Sequence, residues 1–225
     1  MSLAEQAIVR ARTTEDIAVG DELVRHRLSS RVIHWAVGVL FLVCLLSGLP
    51  IWTPVFGWMA GLLGGLAVCS VLHPWAGLLF FASAAAMFVH WLKDMRFTPE
   101  DWEWLGPKAL AYVTYAEHDE EVGKYNGGQK LFFFAASLGS VGFLVSGLVL
   151  WWPQSFPQAI RLASILLHDL TFILFAVALV LHIYLPAAQP GTYRAMIRGT
   201  VTGAWARLHH PSWYRDVTGE GTRST

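Results

Sequence analysis

The stretch LLHDLTFILFAVALVLHIYLP, residues 166–186, would suit a lipid interior but for His168, Asp169 and His182. An imidazole there can ligate a metal, carry a proton or hydrogen-bond inside a packed helix bundle. The two histidines are fourteen residues apart, which on an α-helix is about 1,400°, roughly 40° short of four turns, with a rise of about 21 Å. They share one helical face and are stacked along it. His34 and His73 fall at the starts of two other apolar runs. By depth, His73 is level with His168 and His34 with His182, which makes one pair of imidazoles near each face of a membrane.

Haem iron accepts two axial imidazoles on opposite sides of a flat ring, so two helices suffice to hold it. Zinc usually takes about four ligands, and no second cluster supplies them. HWAVG at His34 and HPWAG at His73 each place a Gly four residues on, on the same helical face, where a missing side chain leaves room for a broad ring. Ser137, Gly139, Ser140, Gly142, Ser146 and Gly147 in the third apolar run could line such a ring, although close helix packing explains them equally well. A proton or ion path through the histidines and Asp169 stays open beside the haem reading. Asp169 lies about 100° round the helix from His168; it could be an acceptor behind a ligand, a proton carrier or a solvated residue, the last two being favoured. His90, rotated about 100° from the face of His73, ranks below His182 as the inner ligand. His26, His118, His209 and His210 lie outside the apolar runs and are expected to be solvated.

These positions need helices that cross a bilayer. With 55% hydrophobic residues, 14% charged and a mean hydropathy of +0.46, the chain reads as a membrane protein. Four uncharged apolar runs, residues 32–52, 71–92, 131–152 and 162–186, each exceed the roughly 20 residues that a spanning helix needs. A fifth, VFGWMAGLLGGLAVCS at 55–70, is short and Gly-rich and is expected to be an outer interfacial or re-entrant helix. Five Arg precede the first run, five Lys or Arg lie within 93–130 and five Arg follow the fourth, whereas 53–70 has none and the third connection has only Arg161. The positive-inside rule then puts both termini and the central loop in the cytoplasm. Residues 1–31 are too polar for a cleavable signal, so the first run should remain as an anchor. Trp52, Trp58, Trp75, Trp151 and Trp152 form an expected outer aromatic belt, with Trp35 and Trp91 at the inner interface.

Several chemistries are excluded. A net charge of zero offers no basic excess for nucleic acid. No CxxCH or CxxC occurs, so a haem would be held noncovalently, and no Gly-rich phosphate loop appears. Cys44 and Cys69 fall at different depths and read as buried structural thiols rather than a disulfide.

RVIHWAVG, LHPWAG, VGKYNGGQK, LLH, LHIY and RLHHPSWYRD occur in order and at the spacing that makes the chain resemble, over residues 27–216, the gamma subunit of respiratory formate dehydrogenase, its membrane cytochrome b. The resemblance implies an outer haem b ligated by His73 and His168 and an inner haem b ligated by His34 and His182. It implies electrons arriving from an iron-sulfur beta subunit, whose partner alpha subunit carries molybdenum or tungsten, and leaving to menaquinone or ubiquinone. A quinone pocket beside the inner haem would involve Asn126, Gly128 and His182, with Gln129 as a neighbour. Read from the residues alone, YNGGQ is a loop turn before a helix. Residues 1–26 lie outside the resemblance, and Asp169 stands where a small apolar residue is expected.

The expected fold is therefore all-α: an integral membrane four-helix transmembrane bundle binding two b-type haems at 32–186, between cytoplasmic segments at 1–31 and 187–225. The expected location is a bacterial inner membrane. The central loop holds eight acids, including EHDEE at 117–121, which read as a solvated face, a partner dock or a proton funnel. In the tail, two adjacent His are a weak metal signal, and likeness to the family suggests partner contact. Alternatives are the cytochrome b of a hydrogenase or thiosulfate reductase, or a haem-free membrane anchor or proton-conducting subunit.

Overall fold

The computed structural model describes residues 1–103, 105–106 and 121–220. His118 and most of the EHDEE run lie outside the described residues. In chain order come α1 (Leu3–Arg10), β1 (Ile17–Val19), β2 (Glu22–Val24), α2 (Leu28–Trp52), a 3-10 helix (Pro54–Leu63), α3 (Leu66–Trp91), α4 (Pro99–Glu103), α5 (Gly127–Trp151), α6 (Gln158–Ala188), α7 (Thr192–Ile197), β3 (Thr200–Thr202), α8 (Gly203–His209) and α9 (Pro211–Thr218). The chain divides into two compact units, one of Met1–Val32, Trp91–Phe134 and Leu179–Thr225, the other of Ile33–His90 and Ala135–Ala178.

The second unit holds the greater part of four helices long and apolar enough to cross a membrane. They are apolar all round, as lipid-facing helices must be; Leu79, Val89, Leu138, Leu166 and Leu174 all point outward. Each helix starts about four or five residues before the apolar run that predicts it. Hydropathy marks the part in hydrocarbon, whereas the backbone ladder continues until a cap or Pro stops it.

The run at 55–70 holds the expected short helix over Pro54–Leu63 and divides at Gly64 and Gly65. Thr53 caps the 3-10 helix, its hydroxyl accepting from Val55 N at 3.4 Å, and Pro54 takes the first position. Gly64 and Gly65, with φ of 91° and 105°, end it. Two consecutive residues at positive φ are a backbone that Gly adopts without a Cβ penalty. Leu66 to Ser70 then belong to α3, so the second span begins five residues earlier than expected.

The first unit carries structure that the sequence reading did not foresee. β1, β2 and β3 form one antiparallel sheet, Leu23 opposite Val201 and Val24 opposite Thr200, so residues before the first span pair with residues after the fourth. Alternation along β2 separates two cores. Leu23 joins Val201, Trp205, Ala206, Trp213 and Tyr214 on one face. On the other, Val24 packs with Ala7 and Ala11 of the N-terminal segment. Gly199, at φ 85°, accepts from both Arg25 N and His26 N at 2.8 and 3.1 Å, an approach that a Cβ would block by meeting His26 O at 2.5 Å. The N-terminal extension is thus a folded part of the first unit. Trp91, expected in the inner aromatic belt, is buried here, edge-on to His26.

Candidate functional site

His73, seven residues into α3, and His168, ten residues into α6, meet in the second unit with ring centroids 6.1 Å apart and planes at 65°. His73 Nδ1 donates to the Cys44 carbonyl at 3.0 Å and also lies 3.3 Å from Ser47 Oγ. A carbonyl only accepts, so the ring proton is on Nδ1 and Nε2 keeps its lone pair. Behind His168 stands Ser146 Oγ, 2.9 Å from Nδ1. Ser146 directs its own proton to the Gly142 carbonyl at 2.6 Å, leaving Oγ to accept from the ring. Both imidazoles therefore carry Nδ1–H and offer Nε2.

The two supports are copies of one another. Ser47-Gly48-Leu49 and Ser146-Gly147-Leu148 each place the Ser five residues before the terminal Trp of a 25-residue helix. Each Ser bonds back to the carbonyl four residues earlier, Val43 or Gly142, at 2.6 Å. Each Gly lies against a ring: a Cβ on Gly48 would stand 2.7 Å from His73 Cε1, and one on Gly147 would stand 3.7 Å from His168 Cε1. Neither Ser47 nor Gly48 was found by sequence reasoning, which looked for ligands and not for their acceptors. The available signal was the repeated Ser-Gly-Leu. The acceptor beside His168 is Ser146, while Asp169 is half-buried.

This donor set fits a haem iron. A metal held between two imidazole nitrogens at about 2 Å from each leaves ring centres roughly 6 Å apart, close to the separation found. A Cβ on Gly38 or Gly77 would meet nothing within 4 Å, so the Gly four residues after each His does leave open space. In the third span Gly139 and Gly142 instead accommodate the Phe175 ring and Thr171, which is the packing reading.

Next to the His73–His168 pair lies a layer of four phenylalanines, one from each long apolar helix. Phe175 stands 5.5 Å from Phe41, 6.4 Å from Phe80 and 5.1 Å from Phe143, between ring centroids. Phe143 also contacts His168 at 5.1 Å. Phe41, Phe80 and Phe175 each follow His34, His73 and His168 by seven residues, two turns on the same face. His182 follows Phe175 by the same seven.

His34 lies in the second unit with its ring edge-on to Trp35 at 5.6 Å. His182 lies in the first, stacked on Phe132 at 4.9 Å with planes 9° apart. His90 is half-buried in the last turn of α3. In YNGGQ, Gln129 N donates to Asn126 Oδ1 at 2.8 Å and Asn126 N donates to Gln129 Oε1 at 3.0 Å, a reciprocal cap on α5. Asn126 is buried, Gly128 half-buried and Gln129 exposed. The capping oxygens are engaged, which leaves the amide NH2 groups as what these side chains can offer a ligand. Gly127 packs on the Asp101 carbonyl, where a Cβ would come within 2.6 Å.

Two histidines expected to be solvated are buried. His26 is 2% exposed and stacks on Tyr125 at 6.0 Å. His210 is 4% exposed; its Nδ1 donates to the Gly123 carbonyl at 2.7 Å and its Nε2 accepts from Arg25 Nη2 at 3.1 Å. Burial, then the Arg25 charge, hold His210 well below the usual imidazole range. With both nitrogens engaged inside the chain, His210 offers none to a metal. The thiols are free, Cys69 buried but Cys44 only half-buried, and the backbone of Cys44 serves His73.

Residues 25–199 match the model of the family described as prokaryotic cytochrome b561. The cytochrome b556(fdo) subunit of formate dehydrogenase from Escherichia coli (strain K12) is 35% identical over 201 residues, 88% of this chain and 94% of that protein. The nitrate-inducible cytochrome b556(Fdn) subunit from the same organism is 32% identical over 202 residues, 87% and 91% of the two chains. A formate dehydrogenase cytochrome b556 subunit from Haemophilus influenzae is 30% identical over 207 residues, 89% and 86%.

Proposed function

The chain belongs to the prokaryotic cytochrome b561 family, and on that premise we propose that it is the membrane cytochrome b subunit of a respiratory formate dehydrogenase, passing electrons from an iron-sulfur subunit to quinone. The observation that carries this reading is the outer pair, His73 and His168, each held by Nδ1 and presenting Nε2. Membership of the family implies b-type haem, and three relatives are named as subunits of formate dehydrogenase. The four histidines divide into His73 with His168 at the outer site and His34 with His182 at the inner one. When bound, a haem b at each pair supplies one-electron transfer along the bundle. The Phe41, Phe80, Phe143 and Phe175 layer gives the side of the site next to His168 an apolar wall against water.

Topology supports a cytoplasmic cap. β2 pairs with β3, Arg25 Nη2 donates to Lys124 O and His210 to Gly123 O, which supports a reading with both termini and the central loop on one side of a membrane. Hydrogen-bonded segments cannot lie on opposite faces, and the five Lys or Arg in each of the three, against none in 53–70 and only Arg161 in the third connection, support the cytoplasmic side of a bacterial inner membrane. Residues 32–186 are then the membrane domain, with 1–31 and 187–225 cytoplasmic. Quinone is reduced near this face, with Asn126, Gly128, Gln129 and His182 as contacts, and draws its protons from the cytoplasm. An amide NH2 from Asn126 or Gln129 can donate to a quinone carbonyl. Formate itself is oxidised on a separate alpha subunit carrying molybdenum or tungsten, beyond the iron-sulfur beta subunit.

The test is haem quantification with a reduced-minus-oxidised spectrum on the purified complex. His73→Ala and His168→Ala each remove one and the same haem; His34→Ala and His182→Ala each remove the other. A wild-type complex with no b-type spectrum refutes the proposal, and crossed losses refute the pairing.

A further inference from the structure

We infer that Ser47 and Ser146 are a duplicated pair of positioning residues, which hold the imidazoles of His73 and His168 by Nδ1 and so set the orientation and donor strength of the two Nε2 atoms at the outer site. This rests on the haem reading above.

Both hydroxyls are fully buried, at 0% exposure. Within a helix a buried Ser satisfies itself by donating to the carbonyl four residues back, and both do so at 2.6 Å. That bond alone would not need an imidazole nearby. Instead each Oγ, with its proton already directed away, turns a lone pair to a ring N–H on the neighbouring helix, at 3.3 Å for His73 and 2.9 Å for His168. An acceptor on the far nitrogen of a ligating imidazole fixes the tautomer and the ring rotation, and it raises basicity at the ligating nitrogen. A more basic ligand favours the oxidised, more positive iron. Removing the acceptor therefore raises the midpoint potential.

The two supports are unequal. His73 also donates to the Cys44 carbonyl at 3.0 Å, which no side-chain substitution removes. Among the described residues His168 Nδ1 has Ser146 as its hydrogen-bond partner and no backbone carbonyl. Loss of Ser146 should therefore matter more than loss of Ser47, which a simple packing role does not predict because both serines are equally buried.

The experiment uses the whole complex carrying Ser146→Ala, Ser146→Thr, Ser47→Ala or Ser47→Thr in the full chain. Haem content, redox titration of the visible band and the low-spin resonance signals of the oxidised haems are read for each. The outer haem is identified as the signal lost in His73→Ala and His168→Ala. Expected is full haem content in both Ala variants, a rise in the outer potential with a changed resonance signal in Ser146→Ala, a smaller rise in Ser47→Ala, and return towards wild type in the Thr variants. An Ala variant that loses the outer haem while its Thr counterpart keeps it also supports the inference. Potentials and resonance signals unmoved in both Ala variants, or Thr variants displaced as far as Ala, overturn it. Full haem content in His73→Ala and His168→Ala sinks the haem reading itself. Loss of haem there with unmoved serine variants sinks only the positioning role.

Discussion

Gly48 lies directly against the His73 ring: a Cβ at Gly48 would stand 2.7 Å from Cε1, inside any real carbon contact. The neighbouring helix therefore reaches His73 with backbone on one side and with the Ser47 hydroxyl and Cys44 carbonyl on Nδ1. At His168 the corresponding Gly147 is looser, with 3.7 Å to the ring. The two halves of one site thus differ in how tightly each imidazole is wedged.

Gly48→Ala should displace His73 and release the outer haem, whereas Gly147→Ala, whose Cβ would meet His168 at ordinary contact distance, should retain it. Haem per polypeptide, measured after extraction, checks both. Equal haem in the two variants would show that the His73 ring is not confined by Gly48.

Lys130 Nζ donates to Asp101 Oδ2 at 2.5 Å and to the Arg96 carbonyl at 3.0 Å, and both partners of the ion pair are buried. Lys130→Met leaves a buried carboxylate without its cation, a loss of about 3–5 kcal/mol. Asp101→Asn with Lys130→Met should recover part of it. Rates of limited proteolysis at residues 93–130 in the assembled complex give the comparison; a double variant no better than the single would count against the pair.

Asn126 serves as the cap of α5 whatever else it does. Asn126→Ala should lower the thermal midpoint through a lost cap of about 1 kcal/mol. Asn126→Ser keeps an oxygen for Gln129 N but removes the amide NH2. If that NH2 meets quinone, Asn126→Ser holds its thermal midpoint while the KM for quinone rises. An unchanged KM would leave Asn126 a cap alone.

His210 is held neutral by burial and by Arg25, below its ordinary value of 6.5. Above pH 6.5 the folded and unfolded states both leave it uncharged, and its contribution to stability is complete. As the pH falls below that value the unfolded chain takes up a proton that the folded cap refuses, so stability declines by at most about 1.4 kcal/mol per pH unit. Tryptophan fluorescence melts between pH 7.5 and 5, in steps of about half a unit, should show the decline for the wild type and a flatter profile for His210→Asn. Parallel profiles would place the acid sensitivity elsewhere.

How far the site was legible depends on the range of each relationship. His168 and His182 lie on one helix, so their shared face followed from 3.6 residues per turn, and hydropathy alone marked the four long helices, three of which carry the candidate ligands. Helix starts were misjudged by about four or five residues because capping and not hydropathy ends a backbone ladder. The N-terminal extension read as a polar segment because its buried residues, Ala7, Ala11, Leu23 and Val24, are few and small, and their partners at Val201, Trp205 and Trp213 lie at the far end of the chain.

By itself, then, the sequence determined the class of molecule: four apolar helices, with two imidazoles fourteen residues apart on one face of the fourth. Those properties are local, set by residue type and helical period. The tertiary structure alone decided which atoms stand behind the His73 and His168 imidazoles. Ser47 meets His73 and Ser146 meets His168 only because neighbouring helices pack close enough for a hydroxyl to reach a ring nitrogen, a contact 22 to 26 residues away in sequence. The same holds for His26 and His210, which resemble solvated residues until β2, β3 and the central loop close over them.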